Sequence, residues 1–159
     1  MGSIRKVLVL FALCITGLAS ALAATTADGL VADRYVLTID GHTIATFSEL
    51  AGISSAVAPT AGSTFPGART PPTVTLKRGM TRNIEMAAWH ELVILGDVAA
   101  ARKSCSLIAY NARGEAVARY HLTDAWPSKV EVGALKAGSS DVLMETITLT
   151  AEFIQRVAI

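Results

Sequence analysis

Short stretches of alternating apolar and polar residues, separated by turn sequences, constrain this chain more than any other feature. Residues 34–39 (RYVLTI) alternate, Asp40-Gly41 then supplies a hairpin turn signal, and residues 43–50 run back as the partner strand. A period of two residues is typical of a strand with one buried face. The chain therefore has to bury its apolar side chains on the faces of sheets.

Further strands follow the same pattern. The sequence predicts strands over residues 73–77, 104–110, 116–123 and 142–154. The two middle strands are joined by NARG, in which Gly114 suits a turn that needs a positive φ. The last strand is predicted to carry one apolar face, formed by Leu143, Ile147, Leu149, Ala151 and Phe153.

One helix and two loops are predicted between these strands. Thr81 can cap a helix that runs to about Val98, or on through the alanines to Arg102. Its apolar stripe comprises Ile84, Ala88, Leu92 and Leu95, and Met86 and Trp89 widen the stripe. Residues 58–72 hold four of the five prolines, so an irregular loop is predicted there, and residues 133–141 form a Gly/Ser-containing loop. The predicted fold is mainly β with one α-helix, as a small antiparallel β-barrel or sandwich.

Length and composition exclude several classes of protein. The 159 residues suit one domain, and the formal charge is only +1, or −1 without Arg5 and Lys6. Such a chain has no long-range field to attract duplex nucleic acid. Cys105 is the only cysteine after the N-terminal apolar run, so the body cannot form an internal disulfide. The histidines and cysteines are not clustered, which argues against a zinc site.

The first residues have the three parts of a secretory signal. Arg5 and Lys6 give a positive end, Val7 to Leu18 an apolar core, and residues 21–23 (ALA) a cleavage site. Residues 1–23 are therefore predicted to be a signal peptide, and residues 31–159 the folded domain. Two alternatives stay open. The segment is a retained anchor, or the true start is a GTG codon read at Val31 and the upstream stretch is a gene-start error.

No residue pattern predicts catalysis. His42, His90 and His121 lack spaced acidic or cysteine partners, so each is interpreted as a surface or packing residue. Cys105 lies in an alternating strand, which favours a buried and inert thiol over a nucleophile. The sequence thus predicts neither an enzyme nor a metal or cofactor site.

The basic step Lys77-Arg78-Gly79 and the two tryptophans allow more than one interpretation. The step is either a pair of solvated charges with Gly79 turning into the helix, or a charged contact with a neighbouring subunit. Trp89 and Trp126 are interpreted as core or interface residues in preference to ligand-stacking ones, since each ring removes a large apolar area from water.

Several motifs in one order resemble the contractile tail-tube proteins of the phage T4 type and of extracellular contractile injection systems. The quoted matches are RYVLTIDGHTIATFSELAGI at residues 34–53, TVTLKRGMT at 73–81, ARY at 118–120, AWPSK at 125–129 and ETITL at 145–149. The likeness spans about residues 33–157.

The resemblance implies a subunit of six-membered rings that stack into a hollow tube, with no catalysis and no cofactor. Sheath and baseplate proteins would be its partners, and DNA or effector protein its cargo. The tube would belong to a virion or injection device, assembled in the cytoplasm or exported if the signal is real. The alternatives are a type VI secretion tube protein, which shares the fold, and an exported monomeric β-sandwich that binds a ligand.

The resemblance also implies a set of interface or structural residues: Lys77, Arg78, Gly79, Trp89, Trp126, Pro127, Ser128, Lys129 and Glu145. On this reading the WPSK sequence at residues 126–129 forms a corner between two barrel strands. Pro127 fixes its backbone, Trp126 anchors it in apolar surroundings, and Ser128 and Lys129 face outward. Glu145 lies on an apolar strand face and needs a partner, expected to be Lys77 or Arg78 across a subunit seam.

Overall fold

Two packed sheets and one main helix make up the described part of the chain. The computed structural model describes residues 29–62, 64–138 and 140–159, so the predicted signal peptide lies outside the described residues. The strands are β1 Arg34–Ile39, β2 His42–Phe47, β3 Glu49–Pro59, β4 Pro66–Gly79, β5 Lys103–Tyr110, β6 Ala116–Val132, β7 Met144–Thr150 and β8 Phe153–Val157, and the helices are α1 Glu85–Ile94 and α2 Val98–Ala101. No helix within these ranges has the length and apolarity needed to cross a membrane.

All strand pairs are antiparallel, and β6 belongs to both sheets. The hydrogen-bonded order is β2-β1-β5-β6-β7-β4-β3, with β8 on β6, and the path does not close. The first part of β6 pairs with β5 and β8, whereas Trp126 to Val132 pair with β7. At the other corner β2 continues into β3 through Ser48, whose N–H donates to the Lys77 carbonyl at 3.0 Å. The predicted class, mainly β with one main helix, is confirmed.

The core lies between the two sheets and under α1. Its fully buried members alternate with polar residues along their strands, as the period of two predicts. On the strands they include Leu37, Phe47, Leu76, Leu107, Leu122, Ile147 and Leu149, and Met86 of α1 packs among them. The β1–β2 turn has positive φ at both Asp40 (50°) and Gly41 (80°), which matches the twist of the hairpin strands and confirms the predicted turn.

The predicted loop over residues 58–72 is wrong, because the segment is a strand hairpin. The chain stays extended in β3 to Pro59 and resumes in β4 at Pro66, and these two prolines are paired at the tip. Pro71 and Pro72 lie at the register shift between Ser54 and Ala56, where Ser55 and the two prolines have no partner in the ladder. Prolines are tolerated at bulges and ladder ends because no donor is needed there. The loop after residue 132 is confirmed within its described residues.

The predicted helix starts too early, and none of the four residues of its predicted apolar stripe is buried. Thr81 accepts from the Asn83 amide instead of capping, and Asn83 Oδ1 accepts from the Glu85 N–H at 2.8 Å, so α1 begins at Glu85. The predicted stripe ends in side chains that are about three-quarters exposed, Ile84 at 72% and Leu95 at 73%. The buried face is formed by Met86 and Trp89, the two residues that were predicted to widen the stripe. Gly96, with φ of 79°, ends the helix before α2.

The predicted strand over residues 142–154 is divided in two. The chain changes partners at its middle: the Ala151 N–H donates to Pro72 and the Glu152 N–H to Thr123. β7 therefore completes one sheet and β8 pairs with β6 in the other. The alternation continues through the buried Ala151 and is interrupted after it, which is why Phe153 is 52% exposed.

Candidate assembly surfaces

Arg78 and Glu145 form a buried ion pair inside the subunit. The two residues are paired in the β4–β7 ladder, and Arg78 Nε donates to Glu145 Oε2 at 2.7 Å with both side chains under a tenth exposed. The guanidinium also lies 5.6 Å from the Phe47 ring centroid. One of the two expected partners of Glu145 is therefore correct. The expected location is wrong, because the pair lies within one chain and not across a seam.

Lys77 and Gly79 have separate roles from Arg78. Lys77 pairs with Glu49 at 2.7 Å across the exposed base of the β3–β4 hairpin. Gly79 is the last residue of β4 and does not turn the chain into the helix as predicted, since Met80 still donates to the Leu143 carbonyl. A Cβ on Gly79 would lie 3.1 Å from Val142 Cγ1, so the glycine leaves room for the neighbouring loop. Solvated charges describe Lys77 and not Arg78.

Trp89 connects the two helices through its indole ring. Its ring is 4% exposed, and its Nε1–H donates to the Ala101 carbonyl at the end of α2 at 2.6 Å. The Lys103 ammonium lies 5.9 Å from the ring centroid. Trp89 thus joins α1, α2 and the core, in agreement with its interpretation as a core residue.

The WPSK sequence lies inside β6 as a bulge and not between two strands. The register shifts between Pro127 and Lys129 against β7. Pro127 is buried, and its carbonyl accepts from His90 Nδ1 of α1 at 2.8 Å, which requires the Nδ1–H tautomer. Ser128 Oγ donates to the Thr148 carbonyl at 3.1 Å. The corner therefore positions α1 against the strand at the point where β6 changes sheets.

Trp126 is half-buried and lines an open apolar cavity of about 260 Å³. The other lining residues are Val93, Val98, Ala101 and Arg102. The Arg102 guanidinium lies 5.7 Å from the Trp126 ring centroid and pairs with Glu152 at 2.5 Å. One side of the Trp126 ring is therefore open to the cavity, so the ring is less enclosed than the sequence predicted.

The nine predicted residues do not form one site. Glu145 lies near the start of β7, where it is paired with Arg78 of β4 on one side and with Val132 of β6 on the other. Trp126 lies at the other end of β7, where it is paired with Thr150. Arg78, Glu145, Trp89 and Pro127 are buried in the subunit. Ser128 and Lys129 are exposed, as predicted, and Lys129 pairs with Glu131 at 2.8 Å.

The described surface also shows apolar features that the sequence interpretation missed. Around α1 and α2 the exposed fractions of Ile84, Ile94, Leu95 and Val98 lie between 62 and 73%. At the tip of the β3–β4 hairpin Phe65 is 74% exposed. The sequence held no signal for them, because Met86 and Trp89, which are buried, are apolar as well.

The described residues meet the requirements of neither a metal site nor a reactive thiol. Within the described ranges no group of three or more histidine, cysteine or acidic residues could hold a metal ion. The Cys105 thiol is buried, and burial raises its pKa to about 12, so it stays protonated.

The sequence model of the T4-like virus tail tube protein family (gp19) matches residues 31–155. The chain belongs to this family. It is a structural tube subunit, as the resemblance implied. The family match favours a tube over the monomeric binding module that the sequence also allowed. No curated protein matches the sequence.

Solved structures of contractile injection systems have the same fold. A chain of the PVC sheath-tube complex, from an extracellular contractile injection system, is 21% identical with a TM-score of 0.63, covering 84% of this chain and 95% of that one. A chain of the anti-feeding prophage cap is 22% identical with a TM-score of 0.62, covering 86% and 99%. Hcp1 from Flavobacterium johnsoniae is 17% identical with a TM-score of 0.53, covering 77% and 93%.

Proposed function

We propose that the subunit closes into six-membered rings that stack into a hollow tube, with sheath and baseplate proteins as partners and no catalytic activity. The main support for the proposal is that a subunit of the tube family exposes apolar side chains and strand edges that another copy could cover. Large apolar side chains lie exposed around α1 and α2, and an extended hairpin projects beyond the ladder that joins β4 to β7. Exposed apolar patches mark surfaces for association.

The edges of the sheets support the same proposal. The hydrogen-bonded path ends at β2 and β3, and β8 pairs on one side with β6. Edge strands offer backbone donors and acceptors to another chain. A heterologous contact repeated around a rotation axis closes into a ring. Of the nine predicted residues, Lys77, Gly79, Trp126, Ser128 and Lys129 are not buried. We propose the four that have accessible side chains, Lys77, Trp126, Ser128 and Lys129, for subunit contacts.

Electron microscopy and native mass spectrometry test the assembly directly. We expect rings or tubes in negative stain and a six-subunit species in the mass spectrum. Leu95→Asp places a charge on the exposed α1–α2 surface and should abolish association, whereas Ala112→Asp, in the exposed β5–β6 turn, is the matched control and should assemble. A parent protein that stays monomeric at high concentration contradicts the proposal.

The lumen cargo and the N-terminal processing are proposed from the same resemblance. The cargo is DNA or an effector protein, and copurified material in nuclease- and protease-treated tubes distinguishes the two. The subunit is part of a phage or injection-system tube particle, and we propose export if residues 1–23 are removed as a signal. The mass of the N-terminal peptide separates a start at Ala24, a start at residue 31 and the intact chain.

A further inference from the structure

The outer half of the β3–β4 hairpin stands apart from the body of the subunit. β4 pairs with β7 over Thr73 to Gly79, and the Pro72 carbonyl still accepts from the Ala151 N–H, so backbone pairing of residues 66–71 is with β3 alone. Residues 54–62 and 64–71 are exposed along their described length. The β3–β4 ladder shifts register at three places, and each shift interrupts the hydrogen bonding that would stiffen the hairpin. Packing therefore does not fix the position of the hairpin.

Arg69 ties this outer half to the corner between β7 and β8. Its Nη2 donates to the Glu152 carbonyl at 2.8 Å, and its guanidinium lies 3.6 Å from the centroid of the Phe153 ring. A planar cation over an aromatic face combines cation–π attraction with a directed hydrogen bond. The contact is made by one side chain to two consecutive residues.

The same corner is tied to the helical segment. The Glu152 carboxylate accepts from Arg102, which follows α2, and Arg102 also lies 3.7 Å from Asp124. Glu152 thus contacts the hairpin through its backbone and α2 through its side chain. The hairpin, the start of β8 and the end of α2 meet at one solvent-exposed joint.

We infer that Arg69 is a latch that holds the hairpin at one angle to the body and can open without unfolding the subunit. Opening breaks one hydrogen bond and one stacked contact, both at the surface, and leaves the core and the β4–β7 ladder unchanged. Segments with few buried apolar contacts are the ones that open locally. The latch presents the hairpin in a preorganised position for whatever it contacts. The inference concerns the single subunit and does not rest on the proposed rings.

Distance measurement between two spin labels tests the latch. Ala61→Cys at the hairpin tip and Ala112→Cys in the β5–β6 turn provide the labels, in a Cys14→Ser background. The native Cys105 is buried with a raised pKa and stays unlabelled. Dilution with unlabelled protein removes distances between subunits. We expect one narrow distance distribution in the parent and roughly a doubling of its width in Arg69→Met.

Two further variants separate the latch from general loosening. Phe153→Leu removes the stacked ring and should broaden the distribution as Arg69→Met does. Lys77→Met removes the exposed ion pair at the base of the same hairpin and should leave the width unchanged, because that pair joins β4 to β3 and not to the body. Melting temperatures should stay equal in all variants. A parent-like width in Arg69→Met, or a parent distribution that is already broad, overturns the inference.

Discussion

Arg78 donates to Glu145 over 2.7 Å between directly paired positions of β4 and β7, and both side chains are buried in the subunit. The pair satisfies a carboxylate that interrupts an otherwise apolar strand face. Its charges are removed from water together, so neither can be lost without leaving the other unpaired.

Glu145→Gln should therefore destabilise the subunit strongly. Loss of one partner from a buried ion pair costs about 3–5 kcal/mol, whereas Glu49→Gln at the exposed hairpin base should cost about 1 kcal/mol or less. Urea unfolding of the two variants makes the comparison. The double variant Arg78→Met/Glu145→Leu should recover most of the loss. Equal costs for Gln at positions 145 and 49 would contradict the buried role.

Trp89→Phe should destabilise the subunit more than Trp126→Phe does. The substitution removes the Nε1–H that the Ala101 carbonyl accepts, and an unsatisfied buried acceptor costs about 1–3 kcal/mol. Trp126→Phe changes an indole of equal size at a half-buried position and should cost less. Denaturant midpoints of both variants give the result, and equal shifts would show that the hydrogen bond is not the cause.

Stability should fall at high pH because of Cys105. The pKa of the folded thiol is about 12 against 9.0 when exposed, so the unfolded chain loses the proton first as pH rises. The free energy of unfolding keeps its full Cys105 contribution below pH 9 and loses it progressively between pH 9 and 12. At about pH 10.5 the loss should be about 2 kcal/mol. Urea unfolding at about pH 8 and about pH 10.5 measures it. Cys105→Ala should remove this part of the slope, and an unchanged slope in that variant would assign it to other groups.

Gly67→Ala should distort the hairpin tip, and Gly79→Ala should be tolerated. A Cβ on Gly67 would lie 2.9 Å from the Ala58 carbonyl oxygen, a backbone atom, whereas a Cβ on Gly79 meets only the side chain of Val142 at 3.1 Å. Faster amide exchange confined to residues 56–70 in the Gly67 variant is the expected result. Comparable exchange in the two variants would show that the tip yields easily.

The strands were predictable where alternation and a turn signal coincide. Arg34 to Ile39 has both, and the β1–β2 hairpin follows as expected. The hairpin over residues 58–72 was not, since its prolines are strand breakers by local rules and are tolerated only because they lie at a bulge and at the tip. That placement is set by pairing between distant residues, which no local window contains.

The helix shows the same limit for the candidate surfaces. Met86 and Trp89 are buried because α1 packs over β6 and β2, and the sequence does not specify which of two apolar sides faces that surface. The Arg78–Glu145 pair was half predictable, since the need for a cation follows from the strand pattern and the register of β4 against β7 does not. The Arg69 contact had no local signal at all.

The strand that changes sheets at Ala125 and Trp126 has a mechanical consequence. Side chains packed face to face can slide past one another under shear, but a covalent backbone that crosses from one layer to the other does not stretch. Ser48 provides a second such crossing at the opposite corner. A subunit with a covalent crossing at both corners transmits a load between its layers through peptide bonds as well as through side-chain packing.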